Sequence, residues 1–265
     1  MLRYKETEDI DARFVEVDRV CQAWRVRIGS INPSMRSEFL LRFRISLIHH
    51  DAALEGEVLS YSEIKAAIDP TIISDPSLIP SYDEIRRFNE ACEWAAEVAT
   101  NKKKPFKFET LRDIYAILTP DEKAKGLPYR KENPLHRLYY HDIASPEKIA
   151  PALKKLAEWI DDPGTKQLHP IERIASMHAR FMSVFPWAKE SGRTARIASN
   201  LLLQEAGYPN AVIHSIDRQR YYESLRGEAS GLLSLYLEAV QTSAETELRL
   251  YEEAEKSAPK KRKRA

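Results

Sequence analysis

The sequence predicts a mainly α-helical fold, and three observations carry that expectation. Glycine is scarce, at 8 of 265 residues. Long charged segments dominate, with apolar residues recurring at i, i+3, i+4 and i+7, the spacing of one buried helix face. Only Leu138-Tyr139-Tyr140 reads as β structure, a short hairpin arm inside Thr119 to Ser145, which lacks clear periodicity and carries Gly126, Pro128 and Pro134.

The elements follow in order. Phe14, Val17, Val20 and Trp24 stand at near-helical spacing, and Asn32-Pro33-Ser34 is a turn signal. Met35 to Leu54 reads as a helix that Gly56 stops in the usual left-handed manner. A short helix spans Ser62 to Ile68, capped by Ser60 or Ser62. The Pro, Ser and Asp content of residues 69–81 marks a connector, and helices follow over Tyr82 to Thr100 and Phe108 to Leu118. Pro146 and Pro151 prepare a helix with Leu153, Leu156, Trp159 and Ile160 inward, ended by Asp161-Asp162-Pro163-Gly164. Helices over Ser215 to Leu225 and Gly231 to Glu255 close the chain. The expected organisation is an N-terminal helical region at 1–68, the connector at 69–81, a helical core at 82–255 and a basic disordered tail at 256–265.

Composition narrows the class. An apolar fraction of 43% can supply a core, and no apolar run approaches the roughly 18 residues a bilayer span needs. The N-terminus is charged where a secretory signal is apolar. Cys21 and Cys92 lack ligand-type spacing and read as reduced structural thiols of a cytoplasmic protein. The net charge of +1 includes five tail charges at Lys260, Lys261, Arg262, Lys263 and Arg264, so the remainder carries −4. That body does not suit a general nucleic-acid binder. The tail is read as a solubilising end, with contact to nucleic acid or an acidic partner, or a localisation signal, suggested by charge alone.

The organising stretch is Phe181 to Leu203. An apolar face at Ile171, Ile174, Ala175, His178, Phe181, Met182 and Phe185 is broken by Pro186, and a second pattern opens near Ala195 and runs to Leu202. The loop between them precedes a helix N-terminus, where free N–H groups favour anions. Arg193 and Arg196 add two cations to that first turn, against the dipole, and an anionic partner would resolve the conflict.

His178, then Phe185-Pro186-Trp187, then Gly192-Arg193 and Arg196 resemble the signature of the Fic (Fido-fold) proteins, His-Pro-Phe-x-Asp/Glu-Gly-Asn-Gly-Arg-x-x-Arg. Downstream, Asn200, Leu201 to Leu203, Gly207-Tyr208-Pro209 and Arg220-Tyr221-Tyr222 continue the likeness. Upstream, Gly126-Leu127-Pro128-Tyr129-Arg130 and Tyr139-Tyr140 resemble the substrate-positioning flap. Asp51-Ala52-Ala53-Leu54-Glu55-Gly56, within 47–56, is similar to the family's inhibitory helix, with Asp51 in place of its hydroxyl residue. The resemblance implies a helical core with a β-hairpin flap and transfer of AMP from ATP to a target-protein hydroxyl. It implies ATP and Mg²⁺ as donor and cofactor, a protein target bound through flap and groove, and Glu55 as an inhibitory partner of Arg196. A homodimer is left open, and no membrane is implied.

The chemistry behind that pattern asks for groups this chain replaces. A base must accept the hydroxyl proton, and Phe185 offers no acceptor atom. A carboxylate must ligate Mg²⁺, and Lys189 is an ammonium, so no metal ligand is assigned. Glu190 brings charge and a Cβ where a glycine would admit phosphate, and Ser191 replaces Asn and is expected to act as a helix N-cap. Gly192, Arg193 and Arg196 are retained. Phe185 is read as core packing, Lys189 as a surface partner of Glu190, a plainly solvated charge or a substitute phosphate ligand, and the arginines as phosphate ligands or as salt-bridge partners only. His178 is read as a buried, hydrogen-bonded histidine. His49 and His50 are adjacent and share no helix face, which argues against a metal role. The expected function is a degenerate Fic protein, its transfer lost or strongly weakened, that acts by binding. The alternative is an active transferase using a non-standard, Mg-independent phosphate donor and restrained by Glu55.

Overall fold

The computed structural model describes residues 9–69, 72, 79–101, 105–134, 141–226 and 229–257. Helical spacing in the sequence is realised almost throughout. The first two helices are α1, Ile10–Ile28, and α2, Pro33–Glu55. Next come α3, Tyr61–Ile68, and α4, Ile79–Thr100, which starts a turn earlier than the Tyr82 expected. The middle of the chain gives α5, Phe108–Leu118, α6, Pro120–Ala124, and α7, Ile149–Asp161. The last four are α8, Pro170–Val184, α9, Ser191–Glu205, α10, Arg218–Arg226, and α11, Ala229–Ser257.

Helix α9 is the axis. Every residue from Ser191 to Leu203 is buried, which a helix tolerates only when neighbours cover all its sides. Those neighbours are α8, α4 and α5. Outside them, α11 packs on α1, α8 and α10 and closes the bundle. Phe181, Trp187, Leu201, Tyr221 and Tyr236 lie at 1% exposure or less and knit α8, α9, α10 and α11 into one core.

The ends of the elements have local causes. Ser60 and Glu63 form a reciprocal capping box at the start of α3, which settles the choice between Ser60 and Ser62. Gly56, at φ 93°, stops α2, and the Glu57 N–H closes back on the Ala52 carbonyl at 2.9 Å. This turn delivers Glu57 to the same side of the helix as Asp51 and Glu55.

No strand occurs among the described residues. The expected arm, Leu138-Tyr139-Tyr140, lies outside them, and residues 125–134 and 141–145 on either side run as turn and coil. Most of the connector and residues 258–265 of the tail also lie outside them. Among the described residues, no helix is long and apolar enough to cross a membrane.

Candidate functional site

The loop between α8 and α9 is shaped by its backbone. Phe185 caps α8 in the left-handed region, at φ 47°, and its ring is fully buried. Core packing is therefore the correct reading of this side chain. Trp187 follows, stacked on Tyr115 with ring centroids 3.9 Å apart and planes 5° from parallel. Glu190, at φ 59°, is the second left-handed residue, a conformation that glycine adopts at no steric cost.

Ser191 is not the N-cap. It is the first residue of α9, and its hydroxyl donates to the Trp187 carbonyl at 2.8 Å and accepts from the Trp187 N–H at 3.1 Å. The loop thus closes on itself through this side chain. Of the two surface readings of Lys189, the pair with Glu190 does not form, because Glu190 turns to Arg193 at 3.2 Å, while plain solvation agrees with its exposure. Lys189 is exposed and forms no ion pair among the described residues.

Behind the loop, Arg130 reaches in from the segment after α6. Its Nε donates to the Phe185 carbonyl at 2.7 Å, its Nη2 to the Val184 carbonyl at 3.2 Å and to the Ala144 carbonyl, and its backbone N–H to the Pro186 carbonyl at 3.0 Å. Burial pushes its guanidinium pKa down, yet the carbonyl oxygens satisfy the group.

The cationic turn has acidic partners within the same chain. Arg196 donates from Nε to Asp51 and from Nη2 to Glu55 at 2.8 Å. Arg193 donates to the other oxygen of Asp51 at 3.2 Å, to Glu57 at 2.7 Å and to Glu190 at 3.2 Å. Asp51, 4% exposed, bridges both arginines. Burial works against the charged form of Arg196, but Asp51 and Glu55 outweigh it and hold its pKa well above the usual value. Burial also raises the Glu190 carboxyl, against the pull of Arg193. Four carboxyl groups therefore surround two guanidinium groups.

Glu55 occupies the place where an anion would meet α9. A Cβ built on Gly192 would lie 2.5 Å from Glu55 Oε1 and 3.0 Å from Arg196 Nη1. Glycine leaves this space to the carboxylate, and a larger residue would push the Glu55 side chain aside. The opposite end of the lock is fixed as well, since the Leu54 carbonyl accepts from Arg218 at 3.0 Å and from the Tyr222 hydroxyl at 2.9 Å.

Sequence reasoning anticipated Asp51, Glu55, Arg193 and Arg196 and missed Glu57 and Arg130 as partners. Glu57 carried one signal, its position one residue past the glycine that turns the chain. The sequence did mark His178, fully buried, whose Nε2 meets the Tyr221 hydroxyl at 3.0 Å while Nδ1 meets Ser199 at 3.2 Å and Tyr236 at 2.8 Å. Arg196 donates to the same Tyr221 oxygen at 3.3 Å, and because the Ser199 hydroxyl donates to the Ala195 carbonyl at 2.8 Å, it accepts from Nδ1–H and leaves Nε2 to accept from Tyr221. The network orients Arg196 from behind.

This burial sets a pH dependence. Burial, and then the Arg196 charge, lower the His178 pKa to about 3 from 6.5. Below pH 6.5 the unfolded chain takes a proton that the folded chain refuses, so stability falls on acidification by about 1.4 kcal/mol per pH unit for this group. His50, lowered to about 4, acts in the same direction. Glu247, raised to about 7, acts in the opposite one between pH 7 and 4.5. Urea titrations from pH 7 to 4 should show declining stability, and Glu247→Gln should steepen the decline.

The residues present do not fit Mg²⁺. Lys189, at the position of the ligating carboxylate, has no lone pair to offer while charged. Among the described residues, no cluster of three or more His, Cys, Asp or Glu side chains could hold a metal ion.

Comparison with known proteins places this geometry. Residues 105–203 match the Fic/DOC family. The protein adenylyltransferase Fic of Aedes aegypti is 24% identical over 213 residues, 78% of this chain and 41% of that protein. The protein adenylyltransferase fic-1 of Caenorhabditis elegans is 22% identical over 205 residues, 77% of this chain and 40% of that protein. The chain thus spans about two fifths of these relatives' length. Among solved structures, a Fic-domain-containing signalling protein of Bacteroides thetaiotaomicron superposes with a TM-score of 0.74 at 20% identity, covering 93% of this chain and 99% of that one. Fic-1 of C. elegans superposes at 0.70 and 21% identity, over 94% of this chain and 75% of that one. IbpAFic2 in complex with adenylylated Cdc42 does so at 0.50 and 16% identity, over 91% and 99%.

Proposed function

We propose, on the premise that this chain is a Fic-family protein, that it retains the family scaffold as a binding module whose nucleotidyl transfer is lost or strongly weakened. The observation that carries the reading is the pairing of a fully buried Phe185 at the base position with Glu55 seated against Gly192 and Arg196. A phenyl ring cannot accept the target hydroxyl's proton, and loss of a general base alone costs about 10²–10⁴-fold in rate. Asp51, Glu57 and Glu190 add negative charge where the donor's phosphates would lie. In this reading Phe185 is a structural replacement, Arg193 and Arg196 are retained anion-binding groups, and Asp51 and Glu55 regulate access to them. The partner is a protein met through the groove and the adjoining flap segment, in a cytoplasmic setting. IbpAFic2, captured with adenylylated Cdc42, supports a protein target for the fold.

The test uses labelled ATP with the purified chain, alone and in lysate. Neither the natural sequence nor Glu55→Gly should transfer label to itself or to other proteins. Robust transfer by Glu55→Gly would sink the binding-module reading.

One observation favours a second reading. Lys189 is an exposed ammonium without an ion pair among the described residues, available to a phosphate on the open side of the loop. An active transferase using a Mg-independent phosphate donor fits that placement. A thermal-shift panel of nucleotides with and without Mg²⁺ separates the two. Metal-independent stabilisation by one phosphate compound favours the second reading, and no shift across the panel favours the first.

A further inference from the structure

Glu247, met above only for its effect on stability, lies outside the cationic turn at the start of α9. It projects from α11 and is partly buried, and the Trp24 indole N–H donates to its Oε2 at 2.8 Å. Among the described residues it forms no ion pair. It lines a cavity of about 170 Å³ between α2 and α11, together with Phe39, Phe43 and Tyr251. Phe39 and Tyr251 meet edge to face with centroids 4.5 Å apart, so a ring is already accommodated there by aromatic neighbours.

We propose that this cavity binds a small aryl-ammonium, a one-ring organic cation whose ring packs among Phe39, Phe43 and Tyr251 and whose ammonium pairs with Glu247. Size fits first. A dry cavity of about 150 Å³ takes benzene, so this volume admits a ring bearing a short ammonium arm. Charge decides the head group. Three groups lining the cavity can carry charge. Arg42 faces outward to Glu38 at 2.7 Å, and the His214 ring lies against His50 with centroids 4.3 Å apart. Glu247 is the remaining one, a carboxyl that burial pushes up to about 7 against the Trp24 hydrogen bond. A partly buried carboxyl without an ion pair gains from a cation that enters the same cavity, and aromatic faces add cation–π attraction. A carboxylate ligand would face Glu247 with like charge. A neutral aromatic ligand would leave the carboxyl unpaired.

The site stands apart from the proposed function and is testable without it. Benzylammonium is the probe, titrated into the full chain by calorimetry at pH 6 and pH 8. Binding selects the ionised carboxyl, so affinity should rise about tenfold from pH 6 to pH 8, with proton release at pH 6 and little at pH 8. Benzyl alcohol, which keeps the ring and lacks the charge, should bind at least tenfold more weakly at pH 8. Glu247→Gln removes a partly buried ionisable group and should fold at least as well, yet lose both the preference for the ammonium and the pH dependence. Equal binding of alcohol and ammonium, pH-independent affinity, retention of the preference in Glu247→Gln, or no binding at millimolar concentration would each overturn the proposal.

Discussion

Replacing Arg196 with methionine is expected to lower the unfolding free energy by about 3–5 kcal/mol, the cost of removing one partner from a buried ion pair. The size follows from what remains. Asp51, 4% exposed, would face Arg193 alone, Glu55 would lose its guanidinium partner, and the Tyr221 hydroxyl would lose a donor. The penalty comes from stranded charge and not from lost volume, because methionine fills similar space. Removing the carboxylates as well should therefore recover most of it. In urea titrations, the triple variant Arg196→Met, Asp51→Asn, Glu55→Gln is expected near the natural protein. A loss below about 1 kcal/mol in the single variant would place the pair in a solvated, weakly coupled environment instead.

Arg130→Ala should cost about 3 kcal/mol or more, although the residue forms no ion pair among the described residues. Its guanidinium serves carbonyls at Val184, Phe185 and Ala144, and each one buried without a donor costs about 1–3 kcal/mol before water enters. Arg130→Lys should recover only part of the loss, since one ammonium cannot reach oxygens that lie in several directions from a planar fork. Hydrogen exchange offers a local readout. The N–H of Phe185, bonded to Phe181 at 2.9 Å, should exchange faster in Arg130→Ala than amides of the α9 interior. Uniform acceleration across the bundle would show that Arg130 stabilises the whole fold and not this turn.

Much of the architecture is legible in the chain because helix faces repeat locally. The apolar stripe from Ile171 to Met182 and the Gly56 stop are decided by neighbours within a turn or two, and both are found as expected. Two cations in the first turn of α9 demanded an anion, and that inference holds, with Asp51, Glu55, Glu57 and Glu190 as the anions. What was illegible depends on distance along the chain. Arg130 serves carbonyls 54 and 55 positions away, and no local pattern marks a residue for that role. Ser191 failed differently. A serine before a helix suggests a cap, but the left-handed turn at Glu190 starts the helix at Ser191 itself and aims the hydroxyl back at Trp187. The hairpin arm falls outside the described residues.

Glu190 still stands at φ 59°, a backbone conformation made for glycine, and the turn around it is held by Arg130 and Ser191. The frame of this turn is thus set by groups other than its outward side chains. When the shape of a loop is enforced from behind, its outward positions can drift singly, without passing through an unfolded intermediate. Substitution of an outward side chain such as Lys189 should therefore leave stability little changed.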